Sequence, residues 1–341
     1  MDRSFYLELA ATGLRMPIGT HLLLQKHPDH ERILLDGTRL GQVVADGATR
    51  FRTPLAVPLM DLTLEKESLL TAMGVPAEKI AASHLTQPPP LADFHLTPRM
   101  RATCDAIAHV AKHPCLVPIG MGIGPFSLMT KLVADPITPV YLAGTGVTAA
   151  DDPEVELVEC VIEAGTLLIE SYFQAQIDAG AKAIIICEPA ANRVYFSPNQ
   201  LEQNFDIFDR FVTHPLRRIK QRFDAQGVDL IFHDCGELTD GMVERFAALD
   251  PAMLSLGSSR MLWEDAARVS KQTVLYGNLP TKRFISPALT IEEVARLGRE
   301  LLERMRATQH PFILGSECDV LSVPGKDEEI LAKVDAFLNV T

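Results

Sequence analysis

From Pro118 onward, short apolar runs alternate with segments whose apolar residues recur at helical spacing. Each run is four to six residues long and apolar throughout rather than at every second position, as in LVPIG, AKAIIICEP, VDLIFHDCG, AMLSLGSS, TVLYGNLP and PFILGSECD. Strands that are buried on both faces have this pattern, and such strands form parallel sheets. The repeated alternation of strand and helix therefore predicts an α/β protein.

Two of the helical segments between these runs are long. EAGTLLIESYFQAQIDAG is predicted to be a helix that stops at Gly180, because glycine commonly ends helices. QNFDIFDRFVTHPLRRIKQRFDAQG is predicted to form one long helix before the next strand.

Polar residues follow strand after strand, and their distribution favours a barrel over an open doubly wound sheet. They are Glu188, His233, Cys235, Ser258, Ser259, Asn278, Glu317, Cys318 and Asp319. In a barrel all these strand ends meet at one mouth, whereas an open sheet uses only the ends beside its switch point. The glycine-rich stretch GMGIGPF lacks the G-x-G-x-x-G dinucleotide fingerprint.

We therefore predict a (β/α)8 TIM-type barrel that forms a single domain over residues 1–341. Residues 1–100 would form an irregular amino-terminal cover and the first strands, and residues 101–341 would supply the main barrel elements.

The composition limits the partners and the compartment. The chain has 341 residues and a formal net charge of -12, which argues against nucleic acid or an anionic membrane surface as the main partner. No apolar stretch reaches the roughly 18 residues of a membrane span, and the first residues do not resemble a secretory signal. Six cysteines are too few for a disulfide scaffold, so we expect free thiols and a cytoplasmic location.

His233 and Cys235 stand two residues apart at the end of an apolar strand, and alternate residues of an extended segment share a face. Cys318 follows a later strand and would reach the same barrel mouth. One imidazole and two thiolates form a zinc set with three protein ligands, which leaves one position open as in catalytic sites. A zinc ion there would hold an incoming thiol as a thiolate, which suits alkyl transfer to sulfur.

The alternative is that these residues bind no metal ion. A His-x-Cys pair alone is more often part of a core, and the third thiol brings the two interpretations to about even. Glu188 has the same ambiguity. It is a candidate catalytic residue because function clusters at strand ends, but a loop carboxylate or a helix cap would fit its position as well.

Several segments resemble the uroporphyrinogen decarboxylase superfamily, and within it the zinc-dependent cobamide (methylcorrinoid):thiol methyltransferases. RMPIG and MDLTLEKES resemble the amino-terminal segment of this family, in which an Asp and a Thr-x-Glu pattern recur. IGPFSLMTKLVADP resembles its Gly-Pro-Phe helix, and LYGNLP resembles the strand before a late loop. HDCG with the distant GSECDV resembles the methyltransferase zinc pattern. The family fold is a distorted (β/α)8 barrel.

The resemblance implies an enzyme that moves a methyl group between a corrinoid protein and a zinc-activated thiol such as coenzyme M. It implies that His233, Cys235 and Cys318 bind Zn2+, and it adds Asp61 to the candidate catalytic residues. The corrinoid, a methylcobamide, would be carried by a partner protein. A glutamate that completes the zinc shell in some relatives has no counterpart in LSLGSSRML, so the fourth ligand would be water, substrate, Glu188, Glu237 or Glu317.

Other activities stay open at this point. A non-thiol acceptor such as tetrahydrofolate is one, and a relative that binds a corrinoid protein without turnover is another. A metal-free uroporphyrinogen decarboxylase-like decarboxylase would depend on Arg50, Arg52 or Asp61. The Arg-Gln-Ala-Gly-Arg-Tyr segment of the true decarboxylases is absent, and GATRFRTPLAVPLMDL stands in its place.

Overall fold

Eight parallel strands form the barrel in the computed structural model, which describes residues 2–91 and 94–340. The strands are β1 (Arg15–Ile18), β2 (Leu55–Ala56), β3 (Val117–Ile123), β4 (Ala183–Cys187), β5 (Asp229–Asp234), β6 (Met253–Leu256), β7 (Val274–Leu279) and β8 (Phe312–Asp319). From β2 to β8 each strand pairs with the next in the sequence, and β1 pairs with β8. This confirms the predicted (β/α)8 TIM-type fold.

The six apolar runs recognised in the sequence are β3 to β8. Almost every residue of these strands is buried, as expected for strands covered on both faces. β1 and β2 were not predicted individually, because a four-residue and a two-residue strand are too short to show a pattern. Both lie within residues 1–100, where the first strands were expected.

Helices surround the sheet. They are α1 (Arg3–Ala11), α2 (Thr20–Leu24), α3 (His30–Ile33), α4 (Gly37–Arg50), α5 (Leu64–Ala72), α6 (Ala77–Ile80), α7 (Pro98–Val110), α8 (Pro125–Leu132), α9 (Ile137–Gly144), α10 (Pro153–Asp178), α11 (Pro198–Gln203), α12 (Asp206–Phe208), α13 (His214–Gln226), α14 (Asp240–Ala247), α15 (Leu262–Asp265), α16 (Ile291–Thr308) and α17 (Asp327–Leu338). None of these helices combines the length and the apolar character that a membrane span requires.

The two long helices predicted from the sequence behave differently. α10 ends two residues before Gly180, whose positive φ of 107° is a conformation that glycine adopts readily. The second segment is interrupted by a π-helical turn, Asp209–Thr213, between α12 and α13. Pro215 follows this turn and has no amide hydrogen for the α-helical ladder, which is the physical reason for the interruption.

The apolar core has two main parts that the barrel wall separates. The larger part lies between the strands and the outer helices. The smaller part fills the barrel interior, and α1 contributes Tyr6 to it. The Tyr6 hydroxyl donates to Asp229 at the beginning of β5, so α1 closes the amino-terminal end of the barrel. The opposite end, where the strands finish, is left for polar side chains.

Candidate metal centre

The barrel mouth brings His233, Cys235 and Cys318 together. His233 lies near the end of β5, Cys235 follows that strand directly, and Cys318 is the second-last residue of β8. One ligand atom from each of the three residues lies within 4.8 Å of the other two. The two sulfur atoms are 3.7 Å apart, which is far longer than the roughly 2.05 Å of a disulfide bond. The thiols are therefore free and face each other.

The spacing of the two sulfur atoms fits a shared metal ion. Two sulfurs that each lie about 2.3 Å from one tetrahedral zinc ion are about 3.8 Å apart. The 3.7 Å between the sulfurs of Cys235 and Cys318 agrees with that value. The donor set of one imidazole and two thiols also matches the ligands that zinc prefers. That the three residues bind zinc stays a prediction, and the geometry is compatible with it.

The imidazole of His233 is held by its neighbour on β6. His233 and Ser255 are register partners in the sheet, and the His233 Nδ1 lies 2.8 Å from the Ser255 Oγ. The other ring nitrogen, Nε2, is buried and has no hydrogen-bond partner among the described residues. An imidazole that donates from Nδ1 to the serine oxygen keeps the Nε2 lone pair free, which is what a metal ligand needs.

The two thiols share their charge unequally. The hydrogen bond that Cys318 donates lowers the pKa of Cys235 well below its ordinary value, and His233 and Lys282 act in the same direction. The same hydrogen bond, together with burial, raises the pKa of Cys318. Without a metal, the pair therefore holds one thiolate, on Cys235, and one thiol, on Cys318. A metal ion would compete with the proton of Cys318.

A lysine lies beside this charge. Lys282 follows β7, and its ammonium group is attracted by the Cys235 sulfur. Partial burial lowers the pKa of this ammonium group, but the attraction of the cysteine pair, whose charge lies on Cys235, outweighs it and raises the pKa of Lys282. The residue is largely exposed, so solvent screens part of this interaction. The mouth thus carries a cation next to the cysteines.

Glu317 and Glu237, two of the glutamates considered as a fourth metal ligand, do not lie with the three ligand atoms. The Glu317 carboxylate accepts from the amide and hydroxyl of Ser258, the latter at 2.6 Å, and from the amide of Lys282. Glu237 is exposed. Among the described residues, no carboxylate oxygen joins the group of three ligand atoms.

Glu188 has contacts that fit a helix cap. Its carboxylate accepts from the Ser127 amide in the first turn of α8 at 2.5 Å, and burial raises its pKa to about 7. Gly124 packs so closely on this carboxylate that a Cβ atom there would lie 1.9 Å from the oxygen. The catalytic assignment of Glu188 stays a prediction, and its observed contacts stabilise the beginning of α8.

Asp61 is placed near the cysteines but not among them. Its carboxylate accepts from the amide and hydroxyl of Thr63 and forms an ion pair with Arg99 of α7. The residue before it, Met60, contacts the metal centre, because the Met60 Sδ lies 4.0 Å from the Cys318 Sγ. Asp61 therefore fixes the chain that carries Met60. Its assignment as a catalytic residue is not tested by these contacts.

Arg50 and Arg52, which the decarboxylase interpretation requires, lie before β2 and thus at the amino-terminal end of the barrel. Arg50 forms an ion pair with Asp335, and Arg52 donates to the side chain of Asn339. The mouth where the strands end is on the opposite side. The two arginines are consequently not placed to bind a substrate beside the cysteines.

Three residues of this centre were missed by reasoning from the sequence: Met60, Ser255 and Lys282. Ser255 occupies a register position beside His233, and pairing register is not visible in a single sequence. Met60 stands next to Asp61 and had no chemical signal of its own. Lys282 lies two residues after the LYGNLP segment, so a search of all strand ends for cations would have found it.

Comparison with known proteins gives three findings. The family model described as uroporphyrinogen decarboxylase (URO-D) matches residues 49–336. A curated relative, a uroporphyrinogen decarboxylase from Janthinobacterium sp. (strain Marseille), is 24% identical over 183 residues, which are 53% of this chain and 48% of the relative. The matched part thus spans about half the length of that protein.

Among solved structures, a methyltransferase from Methanosarcina mazei has a similar fold. The TM-score is 0.65 at 16% sequence identity, and the superposition covers 95% of this chain and 93% of that one.

Proposed function

The chain belongs to the uroporphyrinogen decarboxylase family, and on that premise we propose that it is a zinc-dependent methyltransferase. It would move a methyl group between a corrinoid protein and a thiol such as coenzyme M. The observation that carries this proposal is the meeting of His233, Cys235 and Cys318 at the barrel mouth. The similar fold of a protein described as a methyltransferase supports it.

The donor set favours zinc-dependent methyl transfer among the chemistries that were considered for this family. When bound, zinc would supply the charge that keeps an acceptor thiol deprotonated near neutral pH. Two thiolate ligands neutralise the charge of the ion, so the acceptor sulfur keeps its nucleophilicity. The acceptor sulfur would form its bond to carbon as the cobalt–carbon bond of the donor breaks and leaves its electron pair on cobalt.

The residues of the chain have separate roles in this proposal. Ser255 orients His233, and Cys235 and Cys318 provide the thiolates. The ammonium group of Lys282 lies where it would attract an anionic acceptor as well as Cys235. The methyl donor would enter from solvent, because α1 closes the other end of the barrel.

A metal-free decarboxylase is the second candidate, because the curated relative carries that name. The sequence-based interpretation made this activity depend on Arg50, Arg52 or Asp61. Arg50 and Arg52 lie at the other end of the barrel and are engaged with Asp335 and Asn339. This interpretation also gives no reason for three facing metal-ligand side chains.

The first experiment is the zinc content of the purified wild-type chain beside that of Cys318→Ala and Cys104→Ala, prepared under reducing conditions. Cys104 is a buried thiol of α7 and serves as the matched control. We expect about one zinc per chain in the wild type and in Cys104→Ala, and loss of zinc in Cys318→Ala.

The second experiment measures the demethylation of methylcobalamin through its change in absorbance. Coenzyme M and tetrahydrofolate are compared as methyl acceptors. Thiol-dependent demethylation that requires Cys318 supports the proposal. A wild-type chain that takes up no zinc under reducing conditions would contradict it and favour the decarboxylase.

A further inference from the structure

We propose that the thioether of Met60 is the fourth donor of the metal centre until an acceptor thiol displaces it. This inference rests on the proposed function, since it concerns the position that the acceptor would occupy. Met60 follows β2 by a short segment and is partly buried, so it borders both the cysteines and solvent.

The distance supports a shared ion. The Met60 Sδ lies 4.0 Å from the Cys318 Sγ, and the Cys235 Sγ lies 3.7 Å from the same atom. Both values are close to the separation of about 3.8 Å for two sulfurs bound to one tetrahedral zinc ion. Cys318 thus has two sulfur neighbours at coordination spacing, of which only Cys235 was counted as a ligand.

The carboxylates near the site do not occupy the position of the fourth donor. The Glu317 carboxylate accepts a hydrogen bond from Ser258, and the Glu188 carboxylate accepts one from the Ser127 amide at the beginning of α8. Within residues 2–91 and 94–340, no Asp or Glu oxygen lies with the three ligand atoms. A soft thioether is compatible with a site that already contains two thiolates.

The chain around Met60 is held in place. The Asp61 amide donates to the carbonyl of Leu59, and the Asp61 carboxylate binds Thr63 and Arg99. These contacts fix the backbone on the far side of Met60, while the flexible side chain can still rotate. A neutral thioether is a weaker ligand than a thiolate, so the thiolate of an acceptor could replace it at the metal. The exchange would remove no charged ligand from the site.

The test uses the full chain labelled with [methyl-13C]methionine and loaded with 113Cd2+ in place of zinc. The chain has 11 methionines, and the Met60 signal is identified by its absence in Met60→Leu, which conserves volume. Met129→Leu, at a buried position in α8, is the matched control and identifies a reference signal.

We expect the Met60 methyl signal to shift on loading and to be split by 113Cd, since scalar coupling requires a bond from sulfur to the metal. The Met129 signal should not change, and excess coenzyme M should remove the splitting. An unsplit Met60 signal in a chain that retains one equivalent of cadmium overturns the inference and leaves the proposed function intact. Splitting that persists with excess thiol also overturns it. A chain that retains no metal contradicts both.

Discussion

The Nδ1 of His233 lies 2.8 Å from the hydroxyl oxygen of Ser255, on the adjacent strand of the barrel. The contact links two buried side chains at the same register position of β5 and β6. It leaves the other ring nitrogen without a partner among the described residues, beside two cysteines. The orientation of the imidazole is therefore set by the sheet rather than by a flexible loop.

The first prediction concerns this contact. Ser255→Ala removes the acceptor for Nδ1, so the imidazole loses its fixed tautomer and orientation. We expect zinc affinity to fall about 10- to 100-fold, as for other groups that orient a metal-ligating histidine. Competition titration with a chelator measures this. Ser68→Ala, at a buried serine of α5, is the control, and equal affinities in the two variants would show that Ser255 has no such role.

The second prediction concerns Lys282, whose charge stabilises the Cys235 thiolate in the metal-free chain. Lys282→Met removes that cation, so the pKa of Cys235 should rise and a smaller fraction should be thiolate at a given pH. Alkylation of Cys235 by iodoacetamide, followed by mass spectrometry, should shift to higher pH. Arg283→Met is the control at the next exposed position. An unchanged pH profile in Lys282→Met would exclude this influence on Cys235.

The third prediction concerns Glu65, a buried residue of α5 whose carboxylate accepts from the Ile123 amide. Burial raises its pKa from the ordinary 4.5 to about 8. Between these values the folded state holds a proton that the unfolded chain has lost. The stability contributed by this proton is thus fully present below pH 4.5 and is lost as the pH rises towards about 8.

Glu65→Gln keeps the shape of the side chain but cannot ionise. The pH-dependent part of the stability that comes from Glu65 should therefore disappear. We expect the free energy of unfolding of the variant to improve relative to wild type by up to about 1.4 kcal/mol per pH unit within that range. Urea unfolding at several pH values measures the difference. A constant difference between the two proteins would mean that Glu65 does not titrate in this range.

The fourth prediction uses two glycines. In Gly124→Ala the new Cβ would meet the Glu188 carboxylate at 1.9 Å, so α8 or the carboxylate must move. We expect a loss of at least about 1–3 kcal/mol in the free energy of unfolding. In Gly47→Ala, inside α4, the nearest atom is at 3.5 Å, and we expect a gain of roughly 0.5–1 kcal/mol. Thermal and urea unfolding compare the two, and similar effects would contradict the packing argument at Gly124.

Some features of the fold and of the site can be derived from the sequence alone. The continuous apolar runs identified β3 to β8, because a strand covered on both faces excludes polar residues throughout its length. The polar residues at the strand ends then indicated a barrel mouth. His233 and Cys235 could be paired because residues two apart on a strand share a face.

Other features were decided only by the tertiary structure. The 3.7 Å distance between Cys235 and Cys318, the approach of Met60 to Cys318 and the contact between His233 and Ser255 depend on strand register and barrel closure. The placement of Arg50 at the opposite end depends on them as well. Such contacts join residues far apart in the chain, and nothing local in a single sequence encodes them. The sequence thus indicated β3 to β8 and the ligand types that follow them, whereas the sheet decided which of those side chains meet.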